Sequence, residues 1–222
     1  MEQLKNYLYQ TVEKAEVLLD KDEDNPEANF FAMVGYGLLS LYENESRNHM
    51  KALGRAKEAY SYLKDGMDMK DEYVEFYFST GLYNYYREKY PEVHPIYKPF
   101  MWFFKSGDKT LGLEQITKAY QESIFMGAEA ADYLAHIYLN YEHDLSQALK
   151  YARILAEKYP KNLYFATTFA DASLLAGVYD NLEKPIAQLI ESDRNYYQMN
   201  GHLFRGMLLE KRDKDYAQAE QQ

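Results

Sequence analysis

Asp144-Leu145-Ser146-Gln147-Ala148 and Asp215-Tyr216-Ala217-Gln218-Ala219 share one pattern (Asp, apolar, any residue, Gln, Ala) and begin 71 positions apart, two steps of about 35. Midway lies Asp180, followed by Asn181-Leu182-Glu183-Lys184-Pro185. One step upstream lies Asp108, with Gly112 where the others carry Ala148 and Ala219. The four aspartates are spaced 36, 36 and 35 residues apart. A regular period of this size marks a repeat array, in which one supersecondary unit recurs and hides its apolar face against the next. An Asp ahead of an apolar-periodic run reads as a helix N-cap, so each aspartate is expected to open the second helix of a pair.

Outward from these positions the period is helical throughout. Leu4, Tyr7, Leu8, Val12, Ala15 and Leu18-Leu19 recur at three- and four-residue steps, and the mostly acidic run Asp20 to Asp24 closes that helix. Asn25-Pro26 is a start signal, a capping side chain followed by proline at the first helical position. Helices are expected at 2–19, 26–43, 47–64, 70–89, 108–124, 127–142, 145–158, 162–178, 182–192 and 196–212, with an eleventh opening near Asp215. No alternating strand pattern competes with them. The first helix of each pair carries a small residue where two helices must approach: Gly81, Ala135, Ala170 and Gly206. Their spacings of 54, 35 and 36 place an insertion of about 18 residues in the second unit.

Ala135-Tyr138, Ala148-Ala152 and Tyr159-Pro160 together resemble the tetratricopeptide repeat family, whose roughly 34-residue unit places small residues and aromatics at these offsets. The resemblance covers 108–222 well and 26–107 more loosely. Lys184 departs from it where the helix-B alanine belongs, with Pro185 following in the first turn. It implies an all-α fold, a right-handed α-solenoid of ten or eleven helices forming one domain over 1–222. Looser units fill 1–107, with an aromatic and proline-rich insertion at 90–107, and regular repeats fill 108–222. The sequence stops at Gln222 inside an expected helix, where a solenoid would present a polar cap. Truncation, a covering partner and a divergent terminus are the three readings of that end.

Composition narrows the function. Acidic residues outnumber basic ones 35 to 25, giving a net charge of −10, and no basic block exceeds two residues. This excludes a phosphate-driven nucleic-acid interface and an anionic membrane surface. Cysteine is absent, which excludes disulfides, thiolate catalysis and Cys-based zinc sites. No segment has the apolar length of a membrane span, and the N-terminal residues lack the pattern of a secretion signal. The compartment stays open between the cytoplasm and, if an export signal has been removed, an envelope space. The 24 tyrosines suit the half-buried surfaces of a helical array, and they suit recognition too.

Two constellations carry candidate function. The first is the insertion Tyr90-Pro91-Glu92-Val93-His94-Pro95-Ile96-Tyr97-Lys98-Pro99-Phe100-Met101-Trp102-Phe103-Phe104. Its prolines at intervals of four should interrupt helix until Pro99, and Tyr97 and Trp102 either plug the array or line a groove. The second follows from the family resemblance, which implies a groove lined by Glu75, Phe78, Leu82, Glu129, Asp132, His136, Tyr164, Thr167, Asp171, Asn200, Met207 and Glu210. That surface is acidic with aromatic patches and would attract a cationic or apolar segment. It lacks the Lys, Arg and Asn of the family's clamp for carboxyl-terminal peptides. No cofactor, metal or catalytic set is expected. His136 and His143 share no third ligand, Gly35-Tyr36-Gly37 lies inside a helix, and no serine stands in a nucleophile elbow. The leading expectation is a non-catalytic scaffold binding a protein or peptide in its concave groove, of open oligomeric state. An envelope-assembly or ligand-carrier repeat protein is the alternative, suggested by Glu157-Lys158-Tyr159-Pro160, and a helical enzyme stands third.

Overall fold

A helix leaves its first amides without partners, and a short polar side chain just ahead of it can supply the missing acceptor. In the computed structural model, which describes residues 2–96, 98–99 and 105–221, Asp108, Asp144 and Asp215 do this, each accepting from the amide three residues on at 2.9–3.1 Å. Asn25 and Asn162 cap two further helices in the same way. The helices are α1 (Glu2–Leu19), α2 (Pro26–Glu45), α3 (His49–Met69), α4 (Phe76–Val93), α5 (Lys109–Glu122), α6 (Gly127–Asn140), α7 (Leu145–Lys158), α8 (Leu163–Ala176), α9 (Glu183–Ile190), α10 (Asn195–Leu208) and α11 (Tyr216–Ala219). The fold is all-helical, with no strand among the described residues.

Asp180 departs from the expected register. It stands in a turn, and the position that opens α9 is Leu182, which offers no side-chain acceptor. The backbone explains the shift. Arg47, His143, Asn181 and Lys214 all take left-handed conformations, with φ between 55° and 63°, and each stands immediately before the residue that opens the next helix. A non-glycine residue there costs about 1 kcal/mol, so four recurrences mark one turn design. In the α8–α9 turn Asn181 occupies the left-handed position, and Asp180 is displaced from the cap.

The described residues form two compact units, 1–127 and 128–222. In unit 1 each helix packs against the next in sequence, from α1 through α5. Leu8 and Val12 of α1 meet Tyr36 and Leu39 of α2, with Tyr62 of α3 closing the cluster. Phe30, Met33 and Phe76 form a second cluster with Phe31, Tyr73 and Met126. Each fully buried side chain of this size contributes about 2 kcal/mol. Glu43, 1 % exposed, is a buried charge of this unit. Its carboxylate takes Lys5 Nζ at 3.1 Å and Asn48 Nδ2 at 2.8 Å, which satisfies both oxygens.

Helix α3 runs five residues past its expected end because Gly66 continues it. A Cβ there would lie 2.3 Å from the Phe76 ring, so the glycine is spent on a crossing and not on a stop. Helix α4 carries Pro91 in its last turn, whereas the sequence led us to expect a break. One lost backbone bond is tolerable there because only Glu92 and Val93 follow, and the amide of His94 still reaches Tyr90 O at 2.8 Å. The α4–α5 pair is the tightest, since a Cβ on Gly112 would stand 2.5 Å from Tyr85 N and 2.8 Å from Gly81 O. Asn84 Nδ2 donates to Gln115 Oε1 across the same seam at 2.8 Å.

In unit 2, α7 packs on α8, α8 on α9 and α9 on α10, while α8 also touches α10. Tyr138 of α6 stacks on Tyr151 of α7 with 6.1 Å between ring centres. Ala135, Ala148, Ala152 and Ala170 are completely buried, which is the purpose their small side chains imply. The chain beyond α10 widens into a π-turn over Leu209–Asp213 before the left-handed Lys214, where continuous helix to 212 was expected.

Gly112→Ala should lower stability by about 3 kcal/mol, because the methyl meets backbone that cannot yield. Gly37→Ala, with nothing within 4 Å of the added carbon, should raise it by about 1 kcal/mol. Urea unfolding of the two variants, followed by circular dichroism, measures both effects.

Candidate partner-binding site

Unit 2 gathers five of the forecast residues. Glu129, Asp132 and His136 lie at three- and four-residue steps on α6, and Tyr164 and Asp171 lie seven apart on α8, so each set shares a helix face. The Tyr164 hydroxyl stands 3.3 Å from Asp132 Oδ2 and 3.3 Å from His136 Nε2. The Tyr164 and His136 rings stack with 5.9 Å between centres and 12° between planes. His136 Nδ1 lies 2.9 Å from the Asp132 carbonyl oxygen, which can only accept, so Nδ1 carries hydrogen. In the neutral ring Nε2 then accepts from Tyr164. On protonation Nε2 becomes a donor, and the phenol turns to Asp132 Oδ2.

The charges are unusually one-sided. The Asp132 carboxylate, 3.4 Å from Nδ1, holds the His136 pKa above its ordinary value against the opposing effect of burial, with the bond to the Asp132 carbonyl and the charge of Asp171 adding to the rise. Burial raises Asp171, an effect that His136 partly offsets. Desolvation and the nearby Asp132 raise Glu129. Burial, then Asp132, pushes the Tyr164 phenol up to about 12, so it stays protonated at neutral pH and serves as a donor. Among the described residues no Lys or Arg forms an ion pair with Glu129, Asp132 or Asp171.

The remaining forecast residues lie elsewhere. Phe78 is half-buried on α4 of unit 1. Glu75 is a correction to the groove expectation: it is 2 % exposed, and its carboxylate accepts from the amides of Ile124, Phe125 and Met126 at 2.7–3.1 Å. It clamps the segment after α5 onto the Phe30–Phe76 cluster, where Phe125 packs against Phe30 and Phe31. Thr167 and Asn200 spend their side-chain hydrogens on the carbonyls of Leu163 and Tyr196. Met207 and Glu210 line a recess of about 410 Å³ beside Tyr216. Tyr97 and Trp102 lie outside the described residues. The insertion is pinned at its far end, where Tyr83 and Arg87 both donate to Lys105 O.

Sequence reasoning missed a second recess, of about 620 Å³, lined by Arg153, Tyr159, Asn162, Phe169, Lys184 and Gln188 among others. The signal for it was the Tyr159-Pro160 turn, whose Pro160 carbonyl accepts from Gln188 at 3.2 Å. Among the described residues no three His, Asp or Glu side chains converge as metal ligands, and no helix is long and apolar enough to cross a membrane.

Asp132→Asn should lower the His136 pKa, read by proton NMR of the imidazole. A raised native pKa stabilises the fold below about pH 6.5 and loses that contribution as pH climbs through the native value. Thermal stability of the parent should therefore decline through that window more than that of the variant. Glu75→Ala should cost about 2 kcal/mol by leaving three amides without their acceptor, measured as a shift in the urea midpoint. Comparison of the chain with protein families, curated proteins and solved structures found no match.

Proposed function

We propose that this chain is a non-catalytic interaction module, an array of tetratricopeptide-like helix pairs that binds a partner polypeptide through the first-helix face of unit 2. The observation that supports it is the convergence of Glu129, Asp132, His136, Tyr164 and Asp171, taken from two helices 32 residues apart, on one surface. The contact of α8 with α10 is what stacking of successive first helices requires. Tyr164 is 42 % exposed, offering a rigid ring and a hydroxyl at small entropy cost.

Binding accounts for the site better than catalysis does. The Asp132–His136–Tyr164 chain has the order of an acid–base relay. A phenol held near 12 is a poor nucleophile at neutral pH, though, and Tyr164 is 42 % exposed, so water is not excluded from it. Negative charge with few compensating cations selects a cationic segment, and the exposed ring also accepts apolar contact.

A defined peptide array spanning basic, neutral, apolar and acidic sequences tests this reading. Basic and apolar peptides should bind, and Tyr164→Ala and Asp171→Asn should each weaken them about tenfold with the helical circular dichroism unchanged. Binding that persists undiminished in both variants would place the partner surface elsewhere.

A further inference from the structure

We propose that the Asp132–Tyr164–Asp171 surface seats the guanidinium of an arginine side chain on the bound polypeptide, a specificity that rests on the partner-binding reading above and deepens it. Asp132 is 9 % exposed, and its two oxygens are treated unequally. Oδ2 lies within reach of the Tyr164 hydroxyl, while Oδ1 is buried without any hydrogen-bond donor. His136 Nδ1 comes within 3.4 Å of Oδ1 but directs its hydrogen to the Asp132 carbonyl. A buried carboxylate oxygen left in this state is costly, and a donor supplied from outside recovers that cost.

The surroundings decide which donor fits. Asp132 and Asp171 flank the His136 imidazole, and Glu129 adds negative charge beside Asp132 and Tyr164, so the ligand group is positive. The Tyr164 ring, exposed over much of its surface, offers a flat platform beside them. A guanidinium is planar and weakly hydrated; it stacks on such a ring while its fork reaches two acceptors at once. An ammonium is a compact, strongly hydrated point charge that gains neither the stacking nor the fork. The imidazole already stacked on Tyr164 turns aside to admit the fork to Oδ1, so ring and ligand exchange places over one buried oxygen.

The test is an NMR titration of the ¹⁵N-labelled 222-residue chain at about 0.15 M salt. The probe is acetyl-Gly-Gly-Arg-Gly-Gly-amide, run beside its lysine and citrulline counterparts. Saturable shifts should appear at the amides of Asp132, His136, Tyr164 and Asp171. The lysine peptide should bind at least about threefold more weakly and the citrulline peptide about tenfold more weakly. Asp171→Asn, which touches no buried pair, should weaken the arginine peptide about fivefold, and Asp132→Asn should do so by more. Equal binding of the lysine or citrulline peptide would overturn the guanidinium assignment, as would shifts spread without saturation to Asp20–Asp24. The two readings fail separately. Array peptides that depend on Tyr164 and Asp171 yet lack arginine leave the interaction module standing and remove this inference, whereas an array without such peptides removes both.

Discussion

Two helices can lie close only where their facing side chains are small, and then the backbones themselves become the packing surface. Gly81 and Gly112 set that limit for the α4–α5 pair, and completely buried alanines occupy comparable positions in unit 2. Close approach brings the flanking polar groups into register, so Asn84 meets Gln115 and Tyr138 meets Tyr151. The pairing also has to be entered at a fixed angle, and the recurring left-handed residue ahead of the capping position sets it. Arg47, His143, Asn181 and Lys214 differ in size and shape, and what they share at the turn is a backbone conformation.

The Asp132–His136–Tyr164 cluster is a by-product of this geometry. When first helices lie side by side, the faces they do not bury against their own partners line up, and α6 and α8 bring Asp132, His136 and Tyr164 into hydrogen-bonding distance across 28 to 32 residues of sequence. Burial withholds the water that would solvate a lone carboxylate, so Glu129, with Asp132 beside it, and Asp171 hold their protons more tightly than exposed acids do.

Much of the fold was legible because helix starts are written locally. Asp108, Asp144 and Asp215 announce themselves through one side-chain acceptor, and α1 and α7 fall where the three- and four-residue steps placed them. What was not legible depended on distant partners. The run of α3 past residue 64 is hidden until Phe76 is seen against Gly66, and Pro91 reads as a break until the helix is known to end two residues later. Asp180 keeps the sequence rhythm but stands two residues ahead of Leu182, which opens α9, with left-handed Asn181 between them. The site divides in the same way. The offsets implied by the family resemblance included Asp132, His136 and Tyr164, which do meet, whereas at Glu75 the same offsets gave a buried residue, because no local pattern reveals three amides waiting fifty residues downstream.

That carboxylate has a consequence for dissecting the molecule. Because Glu75 holds residues 124–126 against Phe30 and Phe31, the six helices that follow cannot be removed at the end of α5 without stranding an acid and baring an aromatic cluster in unit 1. The natural scissors line for an autonomous N-terminal fragment falls after Gly127. A protease offered the native protein would meet, just ahead of that line, a connector whose backbone is already spoken for.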